Sequence, residues 1–115
     1  MASSADILER LMMIIEDRRD NPPERSYTTS LFQGGTEKIG RKITEEAAEV
    51  VEAAAEVVAD DHAHLVYESA DLIYHLFVML GYHNVPLAEV VNELARRFGT
   101  SGLDEKESRA PNPEN

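Results

Sequence analysis

Two groups of acidic side chains in this sequence have the spacing that a divalent-cation site requires. The first group contains Glu46 and Glu49, and the second contains Glu68 and Asp71. Residues three apart lie on the same face of a helix, so the two members of each pair would point together. Eighteen residues lie between Glu49 and Glu68, which is enough to finish one helix, turn and return. The two pairs can therefore meet across an antiparallel helical hairpin.

Four carboxylates at close range would repel one another unless a cation lay between them. Acidic helix faces are more often simply solvated, and we expect this of Glu52 and Glu56. Glu46, however, lies beside the apolar stripe of its helix, and Asp71 directly precedes an apolar run. Buried acids are rare unless they are paired or bind a metal. An all-oxygen ligand set suits Mg²⁺ or Mn²⁺ better than zinc. The predicted metal ligands are Glu46, Glu49, Glu68 and Asp71.

Basic side chains share the stripe of the first acidic pair. Lys38 and Lys42 lie eight and four residues before Glu46, so their ammonium groups would be one to two helical turns, about 6 to 12 Å, from the metal site. This geometry would suit a phosphate chain that spans the metal and the lysines. The alternative is ordinary Lys–Glu pairing along a helix, worth only about 0.2–0.5 kcal/mol. His75, four residues after Asp71, is either a core residue or a support for the site.

Hydrophobic spacing, caps and breakers predict four helices to position these residues. The first ends at Asn21-Pro22-Pro23, because proline cannot continue the backbone ladder. Residues 20–35 are predicted to form a loop ending at Gly34-Gly35, with Thr36 capping the second helix and Asp60 or Asp61 capping the third. The predicted helices span residues 4–19, 36–59, 62–82 and 86–98.

The third helix is apolar on nearly every side from Leu72 to Leu80, so it must be covered all round. A homodimer whose core includes this helix is the simplest way to cover it. We therefore predict an all-α fold, an antiparallel bundle of about four helices that forms a dimer. The folded domain is expected over residues 4–99, and the polar segment 104–115 is expected to be a disordered tail.

Composition narrows the class of protein. The 115 residues fit one domain, and the net charge of −11 should repel nucleic acids and anionic membranes. It should also repel a nucleotide, unless metal ions reverse the local field. There is no cysteine, and no stretch has the pattern of a signal peptide or a membrane span. We expect a cytoplasmic protein without nucleic-acid or membrane partners.

The acidic pattern Glu-Glu-x-x-Glu followed by Glu-x-x-Asp resembles the all-α nucleoside triphosphate pyrophosphohydrolase superfamily. That superfamily includes MazG-like enzymes, dimeric dUTPases and the phosphoribosyl-ATP pyrophosphatases. The finer resemblance is to the last family, over about residues 8–97. It is carried by three stretches, which are residues 23–28 (PERSYT), residues 38–46 (KIGRKITEE) and residues 68–75 (ESADLIYH).

The resemblance implies hydrolysis of phosphoribosyl-ATP to phosphoribosyl-AMP and pyrophosphate, the second step of histidine biosynthesis. It also implies a homodimer that uses Mg²⁺. The four predicted metal ligands match the family's metal-binding positions, and Lys38 and Lys42 match positions that meet phosphates. Glu45 points off the shared face. It would therefore either bind a second metal ion or support the first ion without contacting it directly. The catalytic carboxylate that orients or deprotonates water would be Glu45 or Glu49.

Three other functions fit parts of the pattern. A MazG-like house-cleaning hydrolase of noncanonical nucleoside triphosphates would share the metal motif and differ in its base and ribose pocket. A helical interaction module would carry the acidic face incidentally. A di-iron bundle would need Glu-x-x-His pairs, and the nearest match is Asp61-x-x-His64.

Overall fold

Residues 3–99 are the part of the chain that the computed structural model describes, and no β-strand occurs among them. The all-α prediction is confirmed. The first, third and fourth predicted helices agree with the structure to within one residue at either end. The predicted tail over residues 104–115 lies outside the described residues. The helices are α1 (Ser4–Asp20), α2 (Tyr27–Ala55), α3 (Ala63–Tyr82) and α4 (Leu87–Phe98).

Helix α1 is held at both ends. The Ser3 side chain accepts a hydrogen bond from the Asp6 backbone N–H, and the Asp6 carboxylate accepts one from the Ser3 N–H. This reciprocal arrangement satisfies two amide donors that the helix itself leaves without partners. At the other end, Arg19 Nη1 donates to the Gly81 carbonyl at 2.9 Å. Arg19 therefore links the end of α1 to the end of α3.

Helix α2 begins nine residues earlier than the sequence predicts, at Tyr27 instead of Thr36. The predicted loop over residues 20–35 is therefore wrong for its second half. Ser26 caps the helix by accepting a hydrogen bond from the Thr29 N–H, and Thr36 instead pairs its hydroxyl with His83 Nε2 at 2.8 Å. The residues of the first turns are poor helix formers on their own. Tertiary packing overrides that weakness, because Thr28 and Leu31 are buried in the core.

The chain reverses direction inside α2 at Gly35. Its φ of 68° and ψ of −166° lie in a region that essentially only glycine occupies. Before Gly35, the helix runs parallel to α3, because Tyr27 pairs with His75 and Phe32 stacks on Tyr82. The sequence predicts a loop that ends at Gly34-Gly35, whereas the structure has helix on both sides of Gly35.

After Gly35, the helix runs antiparallel to α3. Thr36 meets His83 near one end of the pair, and Glu56 meets His64 near the other. The connection is short and is closed by backbone hydrogen bonds between Val58 and Asp61. His62 is the cap residue of α3 but makes no side-chain cap bond, so the predicted capping by Asp60 or Asp61 is wrong. The predicted antiparallel hairpin is present.

The core lies where α1, both parts of α2 and α3 meet. Its buried apolar side chains are Met12, Ile15, Leu31, Ile39, Ala53, Phe77 and Val78. Helix α4 belongs to a second compact unit that begins at Pro86. Within α4, Arg96 and Arg97 hydrogen-bond to Glu93 and lower its pKa to about 2. Among the described helices, none has the length and apolar character that crossing a membrane requires.

Candidate functional site: a carboxylate cluster between α2 and α3

The antiparallel packing of α2 and α3 brings three of the four predicted metal ligands together. Glu46 on α2 and both Glu68 and Asp71 on α3 each offer a carboxylate oxygen, and these oxygens lie within 4.8 Å of one another. Glu49, one turn after Glu46, is close enough to interact with the carboxylates of Glu68 and Glu46. All four predicted residues therefore belong to one cluster.

The cluster is buried in a way that ordinary solvated acids are not. Glu46 is only 6% exposed and Glu68 only 8%, and Asp71 is half-buried. Within the described residues, Glu46 Oε2 and Glu68 Oε1 are buried and have no hydrogen-bond partner. An unsatisfied buried oxygen costs on the order of 1–3 kcal/mol, and more when it is charged. A divalent cation held by these oxygens would remove that cost, so the residues fit such an ion.

The pKa values of the cluster carboxylates show that their negative charges are crowded together. Burial, and next the charge of Glu49, raises the pKa of Glu46 to about 7. The pKa of Glu49 is also raised, chiefly by the neighbouring Glu68 carboxylate and its charge. Burial by itself would raise the pKa of Glu68, but the neighbouring side chains of Glu49, His64 and Glu46 outweigh it and the net shift is downward. Glu46 therefore keeps its proton to a higher pH than an ordinary glutamate does.

The metal-free protein is expected to lose stability as the pH rises from about 4.5 to about 7. The Glu46 pKa is raised in the folded state above its ordinary value of 4.5, so the folded state binds the proton more tightly than the unfolded chain does. Stability from that proton is present at low pH and lost as the pH passes the folded-state pKa. Urea unfolding in the presence of a chelator, at pH 5 and pH 8, measures the difference.

The matched variant for this measurement is Glu46→Gln, which keeps the shape of the side chain and removes its titration. Its unfolding free energy should change less between pH 5 and pH 8 than that of the unsubstituted protein. An equal change in both proteins would show that Glu46 titrates normally and that the cluster is not crowded.

The remaining predicted site residues lie around the cluster. Glu45 is exposed, and its carboxylate lies 3.9 Å from the Lys42 ammonium. The pKa values of Glu49 and Tyr27 are raised overall, and the positive charge of Lys42 offsets part of each rise. The charge of Lys42 therefore acts on the cluster side of the helix. Lys38 donates to the Ser30 carbonyl at 3.2 Å, across the reversal at Gly35. Lys42 is therefore beside the acidic cluster, and Lys38 helps to hold the two parts of α2 together.

His75 is a buried and fully hydrogen-bonded residue behind Asp71. Its Nδ1 lies 2.8 Å from the Asp71 carbonyl, which can only accept, so Nδ1 carries the proton. Its Nε2 lies 2.9 Å from the Tyr27 hydroxyl, which then donates. His75 thus connects the backbone of Asp71 to α2, and its role as a support for the site stays a prediction.

Aromatic side chains line the same region, and sequence reasoning did not assign them a role. Tyr27 is exposed over about half its surface and stacks on Tyr74 with ring centroids 6.2 Å apart. The Tyr74 hydroxyl hydrogen-bonds to Thr28. Burial raises the pKa of Tyr27, and the charges of Glu46 and Asp71 raise it further. Tyr27 therefore lies within electrostatic reach of the cluster and offers an open aromatic face.

His64 is a further residue near the cluster to which the sequence analysis assigned no role in this site. It contacts the buried carboxylate of Glu68 and, with its other ring nitrogen, the carboxylate of Glu56. Glu56 is therefore more than a solvated acid. The signal for the first contact was present, because His64 and Glu68 are four residues apart on one helix face.

The sequence is similar to a family of known proteins. The family model described as phosphoribosyl-ATP pyrophosphohydrolase matches residues 8–98. Proteins named phosphoribosyl-ATP pyrophosphatase are similar over most of the chain. The one from Rhodopirellula baltica is 53% identical over 89% of this chain and 85% of its own. Those from Geobacter sulfurreducens and Paramagnetospirillum magneticum are 48% and 49% identical, over 90% and 96% of this chain and 94% and 98% of theirs.

Proposed function

Since this chain belongs to the phosphoribosyl-ATP pyrophosphohydrolase family, we propose that it hydrolyses phosphoribosyl-ATP to phosphoribosyl-AMP and pyrophosphate, a step of histidine biosynthesis. The observation that carries the proposal is the convergence of three carboxylates, from Glu46, Glu68 and Asp71, within 4.8 Å. Catalysis of phosphoryl transfer depends mainly on positioning and on neutralising charge. A cluster that holds a divalent cation serves both purposes.

The cation would be Mg²⁺, held by the oxygens of Glu46, Glu68 and Asp71 with Glu49 beside them. Hard oxygen ligands favour it over softer metals. When bound, it would neutralise charge on the phosphate oxygens and acidify a water molecule. The unpartnered oxygens of Glu46 and Glu68 support these two residues as ligands.

The chain's own residues would then act on water and on the phosphates. Glu49 is half-buried at the edge of the cluster, where its carboxylate is placed to accept a proton. Its carboxylate would take the proton of the water that attacks the phosphorus, while the bond from that phosphorus to pyrophosphate breaks. The Lys42 ammonium would hold phosphate oxygens in line. Glu45, exposed and paired with Lys42, would orient that lysine or bind a second ion.

We also propose that the working form is a homodimer. Large apolar side chains on α2 and α3 are exposed in a single chain, although they lie on the two helices that carry the site. Burying such a face is favourable by roughly 25 cal/mol per Å², and a patch of this kind marks an interaction site. The exposed side chains are Val51, Val66, Tyr67, Ile73 and Leu76.

We further propose a cytoplasmic location, because the highly charged nucleotide substrate does not cross membranes unaided.

A substrate comparison tests the proposed function. Purified protein with Mg²⁺ is supplied in parallel with phosphoribosyl-ATP and with dATP, dUTP and dCTP, and pyrophosphate release is measured. The proposal expects kcat/KM to be highest for phosphoribosyl-ATP and the release to stop with a chelator. A higher kcat/KM for any deoxynucleotide would instead indicate a house-cleaning hydrolase. Absence of release from every substrate would contradict an enzymatic function.

A further inference from the structure

We infer that His64 is a positioning residue that fixes the Glu68 carboxylate for the cation. This inference rests on the proposed function, because it concerns the same cluster. His64 lies in the first turn of α3, and its Nε2 is 3.0 Å from Glu68 Oε2. The other oxygen of the same carboxylate, Oε1, is buried and has no partner among the described residues. One oxygen is thus occupied by histidine and the other is left for a ligand outside the chain.

The hydrogen bond matters because a glutamate carboxylate rotates easily about its last side-chain bond. Without a partner for Oε2, either oxygen could turn toward the cluster and the carboxylate could turn away from it. With Oε2 held by His64, rotation of the Glu68 carboxylate is restricted, and one of its oxygens lies within 4.8 Å of those of Glu46 and Asp71. Partners that orient metal ligands in this way typically change metal affinity by about 10- to 100-fold when they are removed.

Glu56 completes the arrangement from the other helix. Glu56 is the C-cap residue of α2, and its Oε1 lies 3.1 Å from His64 Nδ1. Both ring nitrogens therefore face carboxylate oxygens, and a carboxylate accepts but does not donate. The His64 ring thus bridges the carboxylates of Glu56 and Glu68. The chain Glu56–His64–Glu68 ties the end of α2 to the metal site on α3.

The arrangement predicts that His64 controls metal affinity before any substrate is present. Mn²⁺ binding to the full chain is measured by titration calorimetry and by the electron paramagnetic resonance of the bound ion. His64→Ala is expected to weaken Mn²⁺ binding by about tenfold. His64→Gln keeps one N–H that can reach Glu68, so it should weaken binding by less than half as much on a logarithmic scale.

His62→Ala is the matched control, since His62 is exposed, lies two residues away and makes no side-chain cap bond. It should bind Mn²⁺ as the unsubstituted protein does. Melting temperatures measured with a chelator show whether any variant is merely less stable. A general loss of stability would weaken binding in His64→Gln as much as in His64→Ala, and that pattern would overturn the inference.

The outcomes separate the inference from the function it rests on. If the unsubstituted protein binds Mn²⁺ and releases pyrophosphate while His64→Ala binds Mn²⁺ equally well, the positioning role is wrong and the proposed function stands. If the unsubstituted protein neither binds Mn²⁺ nor releases pyrophosphate, the proposed function fails and the inference fails with it.

Discussion

Glu68→Gln is expected to lower kcat/KM for pyrophosphate release by about a thousandfold while leaving the helical content unchanged. Glu68 contributes a carboxylate that is 8% exposed and that belongs to the three-residue cluster. One of its oxygens has no hydrogen-bond partner within residues 3–99. An amide oxygen carries no charge, so the cation would be held more weakly. A metal ion stabilises developing charge by several kcal/mol, and about 4 kcal/mol corresponds to a thousandfold in rate.

The control for this variant is Glu52→Gln, the same substitution on the exposed surface of α2. It should retain the activity of the unsubstituted protein. The metal-free Glu68→Gln protein should also fold normally, because the substitution removes one of several mutually repelling charges. If kcat/KM of the Glu68→Gln protein were not reduced, Glu68 would have no role in catalysis.

Val51→Lys is expected to separate the proposed homodimer into monomers. Val51 lies on α2 and is 70% exposed in the single chain, on the face that we assign to the dimer interface. An unpaired ammonium buried in an interface costs several kcal/mol, and every 1.4 kcal/mol is a factor of ten in affinity. The dimer should therefore weaken by about a hundredfold or more. Sedimentation equilibrium over a range of protein concentrations measures the change.

Met13→Lys provides the comparison for that variant. Met13 is 65% exposed but lies on α1, so a lysine there adds the same charge at a similar exposure outside the assigned face. It should leave the dimer intact. Equal dissociation by both variants would assign the interface elsewhere, and a monomeric unsubstituted protein would contradict the homodimer itself.

The positions of α1, α3 and α4 could be predicted because local signals agree with the packing. Ser3 caps α1, and the residues after Asp20 cannot continue it. Pro86 and Gly99 bound α4. The first part of α2 could not be predicted, because its helical state depends on burial of Thr28 and Leu31 against other helices. Contacts between distant segments outweigh weak local preference there.

The buried face of α2 also differs from the apolar stripe in the sequence. Glu46 and Ala53 are buried, whereas the apolar Val51 of the same helix is 70% exposed. The helix therefore turns an acidic residue toward α3 and leaves part of its apolar surface outside. Side-chain hydrophobicity alone favours the opposite rotation. The difference is explained if a cation satisfies Glu46 and a second copy covers the apolar residues.

The acidic cluster itself could be predicted, because helical periodicity and the hairpin connection determine which residues face one another. The contacts of Glu46, Glu68 and Asp71 follow from that geometry. The His64 link could be anticipated only in part. Its contact with Glu68 is local, but its contact with Glu56 depends on how tightly the connection between α2 and α3 closes. Such tertiary detail is not encoded in residue spacing.

Crystals of the protein grown with Mn²⁺ test the central claim most directly. Anomalous difference density at the manganese absorption edge locates the ion without assuming its ligands. We expect a peak bonded to carboxylate oxygens of Glu46, Glu68 and Asp71, at a metal–oxygen distance of about 2.0–2.3 Å. A manganese peak on other residues, in crystals of protein that releases pyrophosphate, would contradict the account.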